Sequence, residues 1–354
     1  MNLLENKRIL VTGGTGSMGQ TFVRRVLAGE LGVPKKVVVF SRDEAKQHDM
    51  RMRYLNRTVT TDEVIFRNFM NVLEFRIGDV RDYGAVCSAV RDADIVINAA
   101  ALKQVPTCEY FPEQAIATNC DGPWNIVRAI RENRCAVQTV VGISTDKACK
   151  PVNVMGMTKA LQERIFVSAN VLNPGTRFIC VRYGNVLASR GSVIPLFLDQ
   201  IRNGGPVTLT MPEMTRFLLS LDQAVDTVFA AVREAQRGET YIPRVPAAKV
   251  IDIAHALVGS RPIRIETTGI RPGEKVHEIL VSEEECHRTI ARGAYYVIQP
   301  ILPELRTGPA IVAALTGEYS SGDDVLPRAE LAAFLEAQRL TVEDADESPE
   351  ELLR

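Results

Sequence analysis

Residues 11–19 read Val11-Thr12-Gly13-Gly14-Thr15-Gly16-Ser17-Met18-Gly19, between an apolar run from Arg8 to Thr12 and a helical pattern that begins near Gln20. The three spaced glycines suit a tight turn, close approach of backbone to a pyrophosphate, and close packing of the helix on the strand. Glycine spacing alone is a weak signal, but here both flanking elements fit. The segment therefore predicts a dinucleotide-binding turn rather than a purely structural one. The expected cofactor contacts are Gly13, Thr15, Gly16, Ser17, Met18 and Gly19.

Outward from this turn, the first half of the chain alternates strand-like apolar runs with helix-like segments, which is typical of an α/β protein. The pattern predicts a Rossmann-type, doubly wound parallel sheet. The polar stretch from Asp43 to Val72 is longer than a simple crossover needs and predicts an inserted helix and loop near the cofactor. The predicted strands are Arg8 to Thr12, Lys36 to Phe40, Leu73 to Ile77, Ile95 to Asn98, Ala136 to Ile143 and Phe178 to Arg182.

After Asn185 the segments are shorter and broken by glycine and proline, which predicts a smaller, irregular substrate-binding region. No Ser/Gly-rich linker separates the two parts, so we expect them to interleave. The expected division is a Rossmann domain over residues 1–185, a mainly substrate-binding region over 186–340 and an acidic tail over 341–354. A short helix from Arg328 to Gln338 precedes that tail, and we expect its stretch from Glu343 to Glu351 to be solvated and frayed.

The composition narrows the range of partners. With 42 basic and 43 acidic residues the net charge is −1, so no broad field favours nucleic acid or an anionic membrane. The first residues lack a signal-peptide pattern and no apolar run approaches membrane-spanning length, so we expect a cytoplasmic protein. The seven cysteines and four histidines are scattered, and we therefore predict neither a disulfide framework nor a metal site.

The end of the second predicted strand bears on the choice of dinucleotide. An acidic residue there would hold the ribose hydroxyls of NAD, whereas an arginine would accommodate the additional phosphate of NADP. Arg42, beside Ser41, favours NADP; in the alternative Arg42 is solvated and Asp43 binds NAD. Further expected cofactor contacts, after the third and fourth strands, are Asp79, Val80, Ala99, Ala100 and Ala101.

A polar cluster follows the fifth predicted strand. Thr145, Asp146 and Lys147 stand at the carboxyl end of that strand, where open α/β sheets bind ligands. Met155 and Lys159, four residues apart, share one face of a helix that is predicted to open at Pro151. One sugar could therefore meet an acid and two amines. In the alternative, Thr145 caps a helix, Asp146 and Lys147 are solvated turn residues, and Met155 fills the core.

These motifs together resemble the extended short-chain dehydrogenase/reductases, and within them the UDP-N-acetylglucosamine 4,6-dehydratases of capsule and O-antigen polysaccharide biosynthesis. The resemblance extends from Lys7 to about Ser321. Most of that superfamily has a tyrosine four residues before the catalytic lysine, where this chain has Met155; a subgroup of similar dehydratases carries methionine there together with Thr-Asp-Lys. The segments that carry the resemblance are Gly13 to Gly19, Asn98 to Lys103, Thr118-Asn119, Ser144 to Lys147, Gly184 to Val186, Met214 to Phe217 and Arg271 to Lys275.

The resemblance implies C4 oxidation of a hexose, elimination of water across C5 and C6, and return of the hydride to C6. Asp146, aided by Thr145, would take the proton of the 4-hydroxyl, since methionine cannot. Lys147 would take the C5 proton, and we expect burial and the nearby Lys103 or Lys159 to lower its pKa for that purpose. Lys159 would hold the nicotinamide ribose, and Met155 would have a shape role only.

The resemblance also implies contacts with a UDP-sugar. An arginine can clamp a diphosphate bidentately, and Glu274 can accept hydrogen bonds from ribose hydroxyls. Lys103 is equally well interpreted as a phosphate ligand or as an electrostatic residue of the active site. Asn119 joins the implied cofactor contacts. The implied substrate contacts are Lys103, Asn185, Val186, Val193, Pro195, Thr210, Arg216, Arg271 and Glu274.

The leading hypothesis is an NADP-dependent hydro-lyase that converts UDP-N-acetylglucosamine to a UDP-4-keto-6-deoxy-N-acetylhexosamine, with or without inversion at C5. A UDP-N-acetylhexosamine 4-epimerase is the first alternative, although simple epimerisation needs no base at C5. A catalytically silent NADP-binding sensor or scaffold is the second, motivated by the missing tyrosine. The resemblance further suggests a homo-oligomer, from dimer to hexamer.

Overall fold

The computed structural model describes residues 2–56, 63–187, 192–270, 273–306 and 312–347. Its strands are β1 (Arg8–Thr12), β2 (Lys36–Ser41), β3 (Leu73–Ile77), β4 (Ile95–Asn98), β5 (Thr139–Thr145), β6 (Arg177–Tyr183), β7 (Val207–Leu209), β8 (Thr215–Phe217), β9 (Thr240–Pro243), β10 (Ala247–Lys249), β11 (Ile265–Thr267), β12 (Ile279–Val281), β13 (Thr289–Arg292), β14 (Tyr295–Ile298) and β15 (Tyr319–Ser320). The α-helices are α1 (Ser17–Leu27), α2 (Glu44–Leu55), α3 (Glu63–Val72), α4 (Tyr83–Val90), α5 (Val105–Tyr110), α6 (Pro112–Ile116), α7 (Gly122–Glu132), α8 (Val154–Leu172), α9 (Val193–Arg202), α10 (Leu221–Glu234), α11 (Val250–Val258), α12 (Glu283–Cys286), α13 (Arg328–Ala337) and α14 (Val342–Glu347).

The central sheet has the strand order β13-β14-β9-β6-β5-β4-β1-β2-β3. The strands from β3 to β6 are all parallel, with Thr12 of β1 beside Phe40 of β2 and Asn98 of β4. The order β3-β2-β1-β4-β5-β6 reverses direction between β1 and β4, which is the switch point where such sheets bind ligands. The predicted Rossmann-type, doubly wound class is therefore confirmed.

Apolar runs form the inner strands because helices cover both faces of the sheet. Ile9 and Val11 of β1 lie in one core cluster, while Leu10 between them lies in the cluster on the opposite face. The same alternation separates Val141 from Val140 in β5. The carboxyl ends of these strands are therefore held by a core that is packed on both sides.

Several predicted boundaries shift. β2 ends one residue later, β6 is longer by one residue at each end, and α13 ends one residue earlier than predicted. β5 begins at Thr139 rather than Ala136 because its neighbour β4 begins at the paired Ile95, and it continues to Thr145 because β6 pairs with it that far. Helix α1 begins at Ser17 and not near Gln20, since the amide of Gln20 already donates to Gly16 O at 2.8 Å. Helix α8 begins at Val154 and not at Pro151.

The region after residue 185 contributes to the same sheet. β9 continues it in parallel beside β6, and β14 and β13 extend it antiparallel. The remaining elements enclose a separate apolar cluster that includes Phe197 of α9, Leu257 of α11 and Leu331 of α13. Val342, near the start of the expected acidic tail, packs into this cluster and is the first residue of α14.

The predicted insertion between β2 and β3 contains two helices, α2 and α3, rather than one. Asp43 caps α2 by accepting a hydrogen bond from the amide of Lys46 at 3.0 Å. Among the described residues, no helix has both the length and the apolar character needed to cross a membrane.

Candidate active site at the carboxyl ends of the strands

The glycine turn after β1 has the backbone shape that a pyrophosphate requires. Gly13 has φ +66°, and a β-carbon there would lie 2.6 Å from Ala100 N. A β-carbon on Gly19 would lie 2.6 Å from the Cα of Gly14, so α1 packs directly on the turn. A β-carbon on Gly16 would approach only Gly13 O, at 3.4 Å, and Gly16 is the N-cap of α1. The turn thus presents bare backbone at a helix N-terminus, which fits a dinucleotide phosphate.

Residues at the ends of β2 and β3 lie on the side of the glycine turn where the adenosine part of a dinucleotide is expected. Ser41 Oγ is 3.0 Å from Thr15 Oγ1, which joins β2 to the glycine turn. Arg42 is more than half exposed and lies 3.9 Å from Asp79, which accepts a closer hydrogen bond from Arg81 at 2.6 Å. Asp43 is engaged as the cap of α2 and in an ion pair with Lys46, so its carboxylate is already occupied.

Asn119 organises the segment that follows β4. It is fully buried in a π-helical turn (Ala117–Asp121), a feature that often marks functional sites. Its side-chain oxygen accepts from Leu102 N, and its amide nitrogen donates to Leu102 O and to Thr158 Oγ1. Asn119 therefore ties the small-residue run Ala99–Ala101 to helix α8, and its amide is used within the protein. Val80 packs beneath the same turn, against Gly122.

Asp146 has one saturated and one unused carboxylate oxygen. It lies in a 3₁₀ turn (Asp146–Ala148) directly after β5 and is fully buried. Its Oδ1 accepts from Thr145 Oγ1 at 2.6 Å, from Lys147 N at 2.9 Å and from Lys147 Nζ at 3.2 Å. Its Oδ2 is buried and has no hydrogen-bond partner among the described residues. The structure thus brings Thr145, Asp146 and Lys147 together around a single carboxylate.

Lys147 lies between two carboxylates. Its Nζ is 3.2 Å from Asp146 Oδ1 and 3.5 Å from Glu278 Oε1. Burial lowers the pKa of the Lys147 ammonium, but the negative charges of Asp146 and Glu278 outweigh burial, so the pKa is raised above its ordinary value. The expectation of a lowered pKa for Lys147 is therefore wrong. The charges of Asp146 and then Glu278 raise the pKa of Lys147, whereas the expectation considered only burial and neighbouring lysines.

Lys159, in contrast to Lys147, has a depressed pKa. It is buried on α8, and its Nζ donates to Ile143 O and to Gln162 Oε1. Burial lowers the pKa of Lys159 to about 8. Met155, one turn earlier, lies in a small buried cluster with Cys108 and Ala115. The structure therefore places Met155 as a packing residue between α8 and the helices α5 and α6.

Two residues of the site escaped the sequence analysis. Glu278 lies immediately before β12, far from Lys147 along the chain. The one available signal for it was an acidic residue closely following Arg271 to Lys275. Gly156, next to Met155, has no room for a side chain, because a β-carbon there would overlap Lys147 O. Asn153 caps α8 by accepting from Gly156 N at 2.8 Å, which is why the helix begins at Val154.

A buried ion cluster supports the site from behind. Arg182 of β6 donates to Glu163 of α8 and to Glu285 of α12, with closest distances of 2.6 Å to each. Ser144, immediately before Thr145, donates to Glu163 Oε1 at 2.5 Å. Burial alone would raise the pKa of Glu285. The positive charge of Arg182 has the larger, opposite effect, so the pKa is lowered to about 2. The cluster fixes β5 against α8 and the C-terminal region.

The predicted substrate residues come from several separate elements. Arg216 of β8 donates to Thr215 O and Val276 O and lies 3.8 Å from Glu278 Oε1. Thr210 donates to Met214 Sδ. Lys103 is exposed and Glu274 is half-buried, Asn185 and Val186 directly follow β6, and Val193 and Pro195 lie in the first turn of α9. Arg271 lies outside the described residues.

Buried polar atoms without partners concentrate at this edge of the sheet. Native proteins rarely leave such atoms unpaired, so each needs an explanation. Within the described ranges they are Asn98 Nδ2, Asp146 Oδ2, Asn185 Oδ1, Ser192 Oγ and Glu278 Oε2. Asn98, Asp146 and Asn185 stand at or just after the carboxyl ends of the adjacent strands β4, β5 and β6. Three of these five unpartnered atoms therefore lie at one edge of the central sheet.

Comparison with known proteins matches this arrangement. A family model described as polysaccharide biosynthesis protein matches residues 9–300. The chain is 42% identical over 301 residues to a protein of Campylobacter jejuni subsp. jejuni serotype O:23/36 (strain 81-176) named UDP-N-acetylglucosamine 4,6-dehydratase (inverting), and the match covers 84% of each chain. It is 43% identical over 299 residues to a protein of Rickettsia akari (strain Hartford) named UDP-glucose 4-epimerase, with 83% of each chain covered.

A solved structure is similar over nearly the whole chain. The X-ray structure of Pen from Bacillus thuringiensis superposes with a TM-score of 0.83 at 33% sequence identity, and the match covers 96% of this chain and 99% of that chain. The similarity therefore includes both the parallel sheet and the region after residue 185.

Proposed function

Because this chain belongs to the polysaccharide biosynthesis protein family, we propose that it is an NADP-dependent 4,6-dehydratase of a UDP-sugar, with UDP-N-acetylglucosamine as substrate. One observation carries the proposal: Asp146 Oδ1 is held by three donors while the buried Oδ2 has no partner in the described parts of the chain. An acceptor fixed in this way at a strand end is suited to take a proton from a sugar hydroxyl.

The glycine turn supports a nicotinamide dinucleotide, which supplies a hydride acceptor and donor when bound. Gly13, Gly16 and Gly19 leave the backbone open to its pyrophosphate. Arg42 is the exposed cation at the end of β2, and Asp43 is used as a helix cap, so the residues present favour the 2′-phosphate of NADP over the free ribose hydroxyls of NAD.

The protein residues would then move two protons. Asp146 takes the proton of the 4-hydroxyl and returns it to the departing 6-hydroxyl, so that water leaves. Lys147 takes the C5 proton as a neutral amine and passes it to solvent, and C5 later receives a solvent proton on the opposite face of the ring. Because the pKa of Lys147 is raised, its resting ammonium must first lose a proton to solvent, so the rate of C5 deprotonation should increase with pH.

The stereochemical outcome can be proposed from the same site. The Campylobacter relative is named as an inverting dehydratase. A 4-keto intermediate that has lost its C5 proton can be reprotonated on either face, so inversion needs no additional reaction step. We propose that this chain also inverts C5.

A 4-epimerase is the second candidate, because the Rickettsia akari relative is named UDP-glucose 4-epimerase at 43% identity. Epimerisation uses the same C4 oxidation but requires no base at C5. The ion pair of Asp146 and Lys147 at 3.2 Å supports elimination, since it places a second proton-transfer group beside the first.

Product analysis by NMR after incubation of UDP-N-acetylglucosamine in deuterated water tests the proposal. A 4-keto-6-deoxy sugar with deuterium at C5 is the expected product, and the configuration at C5 reports inversion or retention. UDP-N-acetylgalactosamine would instead identify an epimerase. Unchanged substrate, with the dinucleotide bound, would indicate a sensor and exclude both enzymes.

A further inference from the structure

We propose that Glu278 is a positioning residue of this site, a second carboxylate that holds the Lys147 ammonium opposite Asp146 and thereby controls when that amine can act as a base. The catalytic consequence rests on the proposed function, but the pairing itself does not. Glu278 comes from the region after residue 273 and is 3% exposed. The site is therefore completed by a residue far from Lys147 in the chain.

The backbone of Glu278 is held in place by a neighbouring strand. Its amide donates to Ser321 Oγ at 2.9 Å, and its carbonyl accepts from Ser321 N at 2.8 Å. Ser321 Oγ in turn lies 2.7 Å from Thr215 Oγ1, beside Arg216. Two bonds to one residue fix the direction from which the Glu278 carboxylate approaches Lys147. A fixed carboxylate can hold an ammonium at little entropic cost.

The two carboxylate oxygens of Glu278 differ in their contacts, since one lies near cations and the other has no hydrogen-bond partner among the described residues. Oε1 lies 3.5 Å from Lys147 Nζ and 3.8 Å from Arg216 Nε, whereas Oε2 is buried and unpartnered among the residues described. Asp146 shows the same division on the other side of the ammonium. Two half-used carboxylates around one cation are expensive to bury unless they serve the site.

The charges that face Lys147 come from several elements. Asp146 and Glu278 are the anions, and Arg216 of β8 is the opposing cation. Lys275 packs on the same turn by donating to Cys149 O at 2.6 Å. On α8, Lys159 is directed to the backbone of β5 instead.

The charge balance at Lys147 therefore depends on two carboxylates. When Asp146 accepts a proton it becomes neutral, and Glu278 is then the anion that still opposes loss of the Lys147 proton. Removing the charge of Glu278 should make Lys147 lose its proton at lower pH.

Titration of the lysine itself tests the pairing without substrate or cofactor. Brief pulses of acetic anhydride at a series of pH values modify only neutral amines, and mass spectrometry of the peptides reports the midpoint for each lysine. Glu278→Gln is expected to move the Lys147 midpoint downward by about one pH unit or more. Glu278→Asp keeps the negative charge at a greater distance, so its Lys147 midpoint should lie between those of Glu278→Gln and the wild type. If Glu278→Gln unfolds at a much lower temperature than the wild type, Glu278→Asp provides the test.

Lys150 provides an internal control. Its Nζ is paired with Glu318 Oε2 at 2.7 Å, and this hydrogen bond raises the pKa of Lys150. Glu318→Gln should lower the Lys150 midpoint and leave the Lys147 midpoint unchanged. An unchanged Lys147 midpoint in the Glu278 variants, with the Lys150 control responding, would overturn the proposal.

The pH profile of deuterium exchange at C5 then tests the catalytic consequence. Glu278→Gln should shift the rising limb of that profile to lower pH, in the same direction as the acetylation midpoint. A merely structural role would lower exchange equally at every pH, and that result would refute the control assigned to Glu278. If the wild type catalyses no exchange at C5, the dehydratase assignment fails, while the acetylation midpoints still decide the pairing of Glu278 with Lys147.

Discussion

A β-carbon on Gly156 would overlap the carbonyl oxygen of Lys147, so the first turn of α8 rests directly on the turn that carries Asp146 and Lys147. This contact fixes the spacing between the helix and the turn. Lys159, on the same helix, donates to Ile143 O of β5. Helix α8 therefore contacts both the turn and the strand that precedes it.

Gly156→Ala should impair catalysis more than stability. The added methyl group must displace either α8 or the Lys147 turn, which overpacking data place at about 1–3 kcal/mol of unfolding free energy. A displacement of about 1 Å at a catalytic group can cost about 100-fold in rate. Turnover and urea unfolding measure the two effects. Gly175→Ala is the matched control, because a β-carbon there meets no described atom within 4 Å. An equal loss of turnover in both variants would refute the importance of the contact between Gly156 and Lys147.

Asp146→Asn and Lys147→Ala should fail at different steps. The first removes the acceptor for the 4-hydroxyl proton, so reduction of bound NADP, followed by absorbance at 340 nm, should fall by about 100-fold or more. The second retains that acceptor but lacks the C5 base, so reduced cofactor should form while deuterium exchange at C5 and dehydration are lost. Cofactor affinity should be unchanged in both. Normal turnover of Lys147→Ala would rule out Lys147 as the C5 base.

Arg42→Ala should discriminate between the two dinucleotides. Losing a charged hydrogen bond to the 2′-phosphate costs about 1.5–3 kcal/mol, or about 10- to 100-fold in Kd for NADP. Affinity for NAD, measured by the same calorimetric titration, should change little. Asp43→Ala is the comparison: it removes the cap of α2 and should lower stability by about 1 kcal/mol without discriminating between cofactors. Equal weakening of NAD and NADP by Arg42→Ala would remove the NADP assignment.

Lys159 should make the protein more stable as pH rises above 8. Its pKa in the folded state is about 8, below the ordinary value of 10.5, so burial of the ammonium opposes folding below pH 8. This opposition is relieved between pH 8 and 10.5, because the unfolded state then binds more protons than the folded state. Lys159→Met should lose that part of the pH slope in urea unfolding. An identical slope in both proteins would show that Lys159 is not buried as an ammonium.

Arg182→Met should be strongly destabilising. It leaves Glu163 and Glu285 buried without their cation, which costs about 3–5 kcal/mol in comparable buried pairs. Because the pKa of Glu285 is lowered from 4.5 to about 2, its contribution is present above pH 4.5 and is lost as the pH falls towards 2. The difference between variant and wild type in urea unfolding should therefore shrink in that range. Arg8→Met, which breaks an exposed ion pair with Asp92 and an exposed hydrogen bond to Asp92 O, should change stability by less than about 1 kcal/mol.

Much of the architecture followed from local patterns. The strands Arg8–Thr12 and Ile95–Asn98 agree with their predicted bounds, because a strand buried on both faces is a short continuous apolar run. The edge strand Leu73–Ile77 also agrees with its predicted bounds, although it is only partly buried. Boundaries shifted where a neighbour decided them, as at Thr139, which pairs with the first residue of β4. Such pairing depends on a strand elsewhere in the chain, which periodicity does not reveal.

For the candidate site, the amino-acid sequence alone determined the glycine turn and the consecutive Thr145, Asp146 and Lys147, since adjacent residues at a strand end must share one edge of the sheet. Folding determined the rest. It brought Glu278 within 3.5 Å of Lys147 and buried Lys159, so that the pKa of the first lysine is raised and that of the second is lowered. Electrostatic energies depend on distance and burial, and neither can be obtained from the order of residues along the chain.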